Sequence, residues 1–298
     1  MAVVVVIGAA VAGVVAFTSG DGKTPELRPT VLLAAGDIGD CEEPGDEATV
    51  KLLEQYPEAT IAALGDLAYQ HGSASDFDRC YEPTWGRFKD RTRPTPGNHD
   101  YGTQHAAGYF EYFGAAAGNP DEGWYSYDVG PWHAVSLNSE CRRVGGCDAN
   151  EPQAVWLVND LRRNSETCQL AYFHRPPFSS GRYGKENRST LRMRVLWRLF
   201  YEHGVDVVLV GHEHSYERFT PMGPDGSADP DGPRLFVVGT GGGNLRDFNG
   251  PPLPTTEVRN SNTWGVLKLT LLPTSYEWEF LPAAGSGGFT DSGSGSCR

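Results

Sequence analysis

A chain of 298 residues with 39% apolar content is long enough to bury a single core of about 250 residues, and no internal repeat divides it. Its formal charge of -13 excludes a nucleic-acid partner, because affinity for a polyphosphate backbone needs clustered Lys and Arg that this composition lacks.

Residues 2–17 form an uncharged, valine-rich segment of 16, followed by a polar Gly- and Ser-containing stretch at 18–24. It is shorter than the roughly 20 residues that span a bilayer and fits the apolar part of a secretory signal or a short N-terminal anchor. Export follows as the expectation, to a secreted or cell-surface location with the segment as a membrane tether. The six cysteines agree, since none stands in a Cys-x-x-Cys pair and an even set in polar loops suits an oxidising compartment. Of the fifteen connectivities open to six cysteines, Cys141 with Cys147 can close a small loop and Cys41 with Cys80 can tie the first loops. Cys168 with Cys297 then remains.

After the linker to residue 28, the apolar run 31–35 predicts a buried strand delivering Gly36 and Asp37. A helix is expected over 46–56, with Val50, Leu53 and Tyr56 on its apolar face. The run 60–64 predicts a second strand delivering Gly65, Asp66 and, three residues on, Tyr69. Residues 76–89 read as a helix broken by Pro83, leading into the turn Gly97-Asn98-His99-Asp100. A hairpin is expected over 124–137, with His133 inside its alternation as a strand histidine. An amphipathic helix is expected over 151–164, with Val155, Leu157, Val158 and Leu161 apolar.

The strand 168–173 ends at His174, and the loop behind it carries Arg175, Arg182 and Lys185. That loop either touches an anionic substrate, through Arg182 and Lys185, or is simply solvated. A helix over 189–203 precedes the apolar strand 206–210, from which His212 and His214 emerge two apart and on one side. Such an imidazole pair suits a metal. A strand at 234–238 leads to the glycine run 239–244, read as close backbone approach near the site because it lacks the Lys-Ser/Thr of a P-loop. A final hairpin at 264–281 and a Gly/Ser-rich tail at 284–298, expected to be disordered apart from Cys297, complete the chain. Three regions follow: a signal or anchor with its linker at 1–28, one domain at 29–283, and the tail.

Five strand ends thus carry Asp, Asp, Asn, His and His-x-His, the Asn in a looser version of the pattern after Arg93-Pro94-Thr95-Pro96. In an open α/β sheet, ligands bind in the crevice beyond the carboxyl ends of the strands, where these groups can gather. In this order, Gly-Asp-x-Gly, Gly-Asp-x-x-Tyr, Gly-Asn-His-Asp, a strand-terminal His and Gly-His-x-His resemble the calcineurin-like metallophosphoesterases, and Tyr69 narrows the likeness to the purple acid phosphatase branch.

The resemblance implies an α/β sandwich of two mixed β-sheets flanked by helices, with a dinuclear metal site at the strand C-terminal ends. It implies Asp37, Tyr69 and His214 at a first metal, Asn98, His174 and His212 at a second, and Asp66 bridging both. A phenolate favours a hard trivalent ion, so the pair would be Fe(III) with Fe, Zn or Mn(II). It also implies hydrolysis of small phosphate monoesters by a metal-bound hydroxide, with His99 stabilising the transition state or protonating the leaving alcohol. Plant members carry further histidines after the strand-terminal His, where this chain has Arg182, Tyr183 and Lys185. Two alternatives stand beside this reading: a phosphodiesterase or nucleotidase of the same superfamily, and a catalytically silent metal-binding surface protein.

Overall fold

The computed structural model describes residues 29–165, 167–184 and 188–298. The apolar segment at 2–17 and Lys185 lie outside the described residues. Among the described residues, thirteen strands form two mixed sheets. They are β1 (Thr30–Ala35), β2 (Thr60–Leu64), β3 (Thr92–Thr95), β4 (Tyr125–Val129), β5 (Trp132–Ser136), β6 (Cys168–Phe173), β7 (Val207–Val210), β8 (Tyr216–Phe219), β9 (Arg234–Val238), β10 (Thr256–Asn260), β11 (Gly265–Leu271), β12 (Ser275–Pro282) and β13 (Ser292–Ser296). One sheet has the order β13-β12-β11-β1-β2-β3, the other β10-β8-β9-β7-β6-β5-β4.

The parallel strands run to one edge of the first sheet and fill the interior of the second. β1 pairs parallel with β2 and β2 with β3, while β5, β6, β7 and β9 run parallel in sequence across the second sheet. Such strands are continuous in apolar residues because both faces are covered. Alternation sorts the faces of the second sheet: Leu170, Tyr172, Val207, Leu209, Phe236 and Val238 join the cluster between the sheets. Their neighbours Ala171, Phe173, Val208, Val210, Leu235 and Val237 instead pack with Leu157, Leu161, Leu196, Trp197 and Phe200 of the outer helices Pro152–Arg163 and Arg188–Glu202. Each fully buried Val, Leu or Phe contributes about 1.5–3 kcal/mol.

Several local expectations shift. The break near Pro83 is real, but the segment folds as a single turn, Ala74–Asp76, then a π-helical turn, Phe77–Tyr81, and a 3-10 stretch, Trp85–Arg91. The first helix stops at Leu53. On the helix Pro152–Arg163 the buried face runs through Ala154, Leu157 and Leu161, at spacings of three and four, whereas Val155 is 47% exposed because it lies about 200° around the helix from Leu157.

The tail departs most from expectation. Instead of a disordered end, residues 292–296 form β13, antiparallel to β12. Ser and Gly alternate along it, and the glycines lie under aromatic rings of β12: a Cβ at Gly295 would come within 2.5 Å of Tyr276, and one at Gly293 would overlap Trp278. The tail is fixed further by Asp291, which accepts from Tyr216 Oη at 2.7 Å and from Arg218 Nε at 2.7 Å. Disulfides join Cys41 to Cys80, Cys141 to Cys147 and Cys168 to Cys297. No helix among the described residues is long and apolar enough to cross a membrane.

Candidate metal centre

The carboxyl ends of β1, β2, β3, β6 and β7 meet where the two sheets open, and backbone hydrogen bonds lock their loops together. Asp37 N donates to Gly65 O at 2.9 Å and Ile38 N to Asp66 O at 3.0 Å, coupling the first two loops. Gly36 N to Val238 O at 2.9 Å and Gly211 N to His174 O at 3.0 Å tie in the second sheet. The glycine run behaves as expected, since Gly241 N donates to Gly36 O at 2.9 Å and Gly243 N to Asp37 O at 2.8 Å. Asp37, Asp66 and His212, each just past a strand end, take positive φ angles of 58°, 52° and 71°. Left-handed backbone at non-glycine residues costs energy and concentrates where side chains must be aimed.

Two groups of donors result. In the first, Asp37 Oδ1 is 3.0 Å from Tyr69 Oη and 3.1 Å from His214 Nε2, and those two atoms are themselves 3.1 Å apart. His214 Nδ1 faces Asn244 O at 2.7 Å, so the carbonyl takes the ring proton and leaves Nε2 bare toward the group. In the second, His174 Nε2 lies 3.1 Å from Asp66 Oδ2 and 3.1 Å from His212 Nδ1. His174 Nδ1 faces Leu64 O at 2.9 Å, so in the neutral ring the proton sits on Nδ1 and Nε2 is the atom available to a cation. One ligand atom from each of Asp66, His174 and His212 falls within 4.8 Å of the others. The groups are joined where Asp37 Oδ2 accepts from His212 N at 2.7 Å.

Asn98 sits between two residues that contact the second group. Both of its neighbours press on Asp66: His99 N donates to Asp66 Oδ1 at 2.7 Å, and a Cβ on Gly97 would overlap that same oxygen, so only glycine fits there. Asn98 Oδ1 is buried with no hydrogen-bond partner among the described residues. An orphaned buried acceptor whose two chain neighbours both press on the Asp66 carboxylate fits a hard or borderline cation.

The electrostatics of the protein groups agree. Burial alone would raise Asp66, but the charge and hydrogen bond of His174, with His99 and His212, hold it well below the usual carboxylate range. Burial would lower His174, and Asp66 more than offsets this, lifting it to about 9. His212 is pushed down by burial and by the neighbouring His174 and Arg175. Burial and the Asp37 and Asp66 charges raise Tyr69 strongly. A pocket of this charge holds a cation or protons in its place.

His99 stands at the mouth, its ring edge-on to Tyr69 with centroids 4.6 Å apart. Its Nδ1 faces Gln70 O at 2.7 Å, and Nε2 points inward, 4.0 Å from Asp66 Oδ2. Arg182 is exposed over the Tyr183 ring, which lies against His212 at 4.5 Å between centroids. It therefore reaches the rim of the centre without touching the donor groups.

Three residues matter beyond those expected. Asp100 is buried and accepts from Gly97 N at 2.8 Å and Leu67 N at 3.1 Å, clamping the Asp66 and Asn98 loops to each other. Burial and the nearby Asp66 charge raise it to about 7. Arg246 donates its N–H to His214 O at 2.9 Å, and Arg175 Nη1 lies 3.0 Å from His212 Nε2. Asp100 belonged to a visible motif and Arg175 to the cationic loop behind His174; Arg246 is brought in by long-range folding and left no local signal.

The family model of the calcineurin-like phosphoesterases matches residues 30–216, more than half of the chain. The chain belongs to that family. It is 30% identical to purple acid phosphatase 21 of Arabidopsis thaliana over 80% of its length, and 30% identical to acid phosphatase type 7 of Homo sapiens over 81%. It spans 57% and 61% of those two relatives. Among solved structures, the purple acid phosphatase PPD1 of yellow lupin superposes with a TM-score of 0.77 at 19% identity, covering 90% of this chain and 54% of that one. GAP50, described as the anchor in the inner membrane complex of Plasmodium, superposes at 0.67 and 14% identity, covering 91% and 90%. The fold expected of the family, two mixed sheets flanked by helices, is the one this chain adopts.

Proposed function

We propose that this chain hydrolyses phosphate monoesters at a dinuclear metal centre, acting as a purple-acid-phosphatase-like enzyme in an oxidising, extracytoplasmic compartment. The observation that carries this reading is the pairing of two donor groups around Asp37 and Asp66 with the orphaned carbonyl of Asn98. Asp37, Tyr69 and His214 would hold one cation, Asn98, His174 and His212 the other, and Asp66 would bridge them. Tyr69 suits Fe(III), with Fe, Zn or Mn(II) as the second ion. When bound, two such cations neutralise the phosphate dianion and acidify water for attack on phosphorus.

The protein's own residues do the rest. His174 and His214 are held in one tautomer by Leu64 O and Asn244 O, so their Nε2 atoms are aimed before any ligand arrives. His99, with Nδ1 committed to Gln70 O, presents Nε2 to the leaving alcohol and gives it a proton as the P–O bond to that oxygen breaks. Water supplies the oxygen that replaces it, so phosphate and the free alcohol are the products. The three disulfides support the compartment, since such bonds persist where thiols are not kept reduced.

The test combines metal analysis with a visible spectrum. Two metal equivalents, a phenolate-to-Fe(III) absorption lost in Tyr69→Phe, and turnover of p-nitrophenyl phosphate above that of its bis ester are expected. A colourless protein that binds a single ion, or faster turnover of the diester, would overturn the assignment.

A further inference from the structure

Beside the metal centre lies a cavity of about 510 Å³ whose lining includes Ser139, Glu140, Arg142, Arg143, Arg175 and Arg192. Four arginines against one carboxylate is an unusual concentration for a chain carrying a net charge of -13. The carboxylate is already committed, because Glu140 Oε1 lies 2.5 Å from Arg175 Nε. Among the described residues, Arg142, Arg143 and Arg192 form no ion pair. Arg142 and Arg143 sit on the loop closed by the Cys141–Cys147 disulfide, and Arg143 is further held over the Tyr101 ring at 5.9 Å. Arg192 faces them from the helix Arg188–Glu202.

Arg175 joins this cavity to the centre. Its guanidinium lines the cavity, its Nη1 lies 3.0 Å from His212 Nε2, and its backbone N donates to Ser139 Oγ at 3.1 Å. A smaller cavity bounded by Arg175, Tyr183 and His212 leads the same way. A guanidinium only donates, so it faces Nε2 as long as that atom is bare.

We propose that this cavity is a second-anion subsite, so that the preferred substrates are phosphate monoesters whose leaving alcohol bears another phosphoryl group. This inference rests on the phosphomonoesterase reading and narrows it. Planar guanidinium forks match phosphate oxygens in pairs, which the point charge of a lysine does not; Arg175 and Arg192 are half-buried at the cavity, and Arg142 and Arg143 are exposed at its edge.

Two measurements on the metal-loaded protein test it. The first is calorimetric binding of an alkylphosphonate against the α,ω-alkanediyl bisphosphonates of three to six carbons, which need no turnover. At the chain length that spans the two sites, the bisphosphonate is expected to bind about 10- to 100-fold more tightly, and this preference should vanish in Arg142→Gln/Arg143→Gln/Arg192→Gln. Equal affinity for the two probes at every length, or a preference that survives the triple substitution, would overturn the subsite. The second is the ratio of kcat/KM for alkanediol bisphosphates over monophosphates, expected to fall toward one in the same variant. Bisphosphonate preference without hydrolysis of either ester would remove the hydrolase reading and leave the subsite standing, whereas hydrolysis without preference would do the reverse.

Discussion

Asn98 and His99 are neighbours in the chain but face different problems. Asn98 has a buried carbonyl oxygen with no partner among the described residues, while His99 has one nitrogen fixed by Gln70 O and the other turned inward, 4.0 Å from Asp66 Oδ2. Removing the His99 ring leaves every donor of the two metal groups in place. His99→Ala is therefore expected to keep its full metal content while losing about 10²- to 10⁴-fold in kcat; metal loss measured in that variant would make His99 part of the cation site instead. At this scale the candidate donors Asp37, Asp66, Asn98, His174 and His212 stood out because each follows a glycine or an apolar run, and Tyr69 and His214 lie two or three residues beyond such a position. Arg246 did not, and Arg175 was visible only as a cation behind His174, since what joins them to the site is contact with His214 and His212 across the fold. Val155 was misread because an apolar residue one step off the 154–157–161 face looks, by type alone, like its neighbours.

Among the elements, β4, β5 and the helix Pro152–Arg163 are pinned by one buried histidine. His133 Nε2 lies 2.7 Å from Asp160 Oδ2 and its Nδ1 lies 3.0 Å from Asp128 Oδ1. Burial pushes His133 down, but the two carboxylates outweigh it and raise its pKa above the usual 6.5. Burial would raise Asp160, and the His133 hydrogen bond outweighs that, lowering it below 3.8. The raised histidine contributes stability that is whole below about pH 6.5 and lost as pH climbs through its folded value. The lowered carboxyl contributes stability that is whole above about pH 3.8 and lost as pH falls through its own. This network should thus stabilise the domain most between those limits. His133→Gln is expected to flatten the fall in Tm on the alkaline side, measured from pH 6 to 9 by scanning calorimetry; an unchanged slope would assign that fall to other groups. The parallel strands around this network were readable as continuous apolar runs. β8 and β10 were not, because Arg218, Glu217 and Arg259 interrupt them and are satisfied by partners such as Asp291, Ser180 and Gly250 O.

The whole molecule is two sheets that must stay in register for five strand ends to meet, and its C-terminal end contributes to that more than composition suggests. Ser-Gly alternation reads as a flexible linker, yet it suits an edge strand when glycine leaves room for the neighbouring strand's aromatic rings, here Trp278 and Tyr276. Cys297, just past β13 in one sheet, is bonded to Cys168 at the start of β6 in the other, across 129 residues of sequence. A closure of that length removes much entropy from the unfolded chain, and the usual contribution of such a bond is about 2–5 kcal/mol. β13 itself has little side chain to bury, so its order depends on this bond and on the Asp291 contacts. Cys168→Ser/Cys297→Ser is expected to lower the unfolding free energy by about that amount. Hydrogen exchange at 292–296 should rise well before exchange in β6 or β7, because the edge strand opens first when its far end is released. The candidate centre lies at the opposite ends of the parallel strands from Cys168, so metal content should be retained in this variant. Protection of 292–296 equal to that of the intact protein would show that the aromatic cover alone holds the edge, and the disulfide would then act only on the unfolded chain.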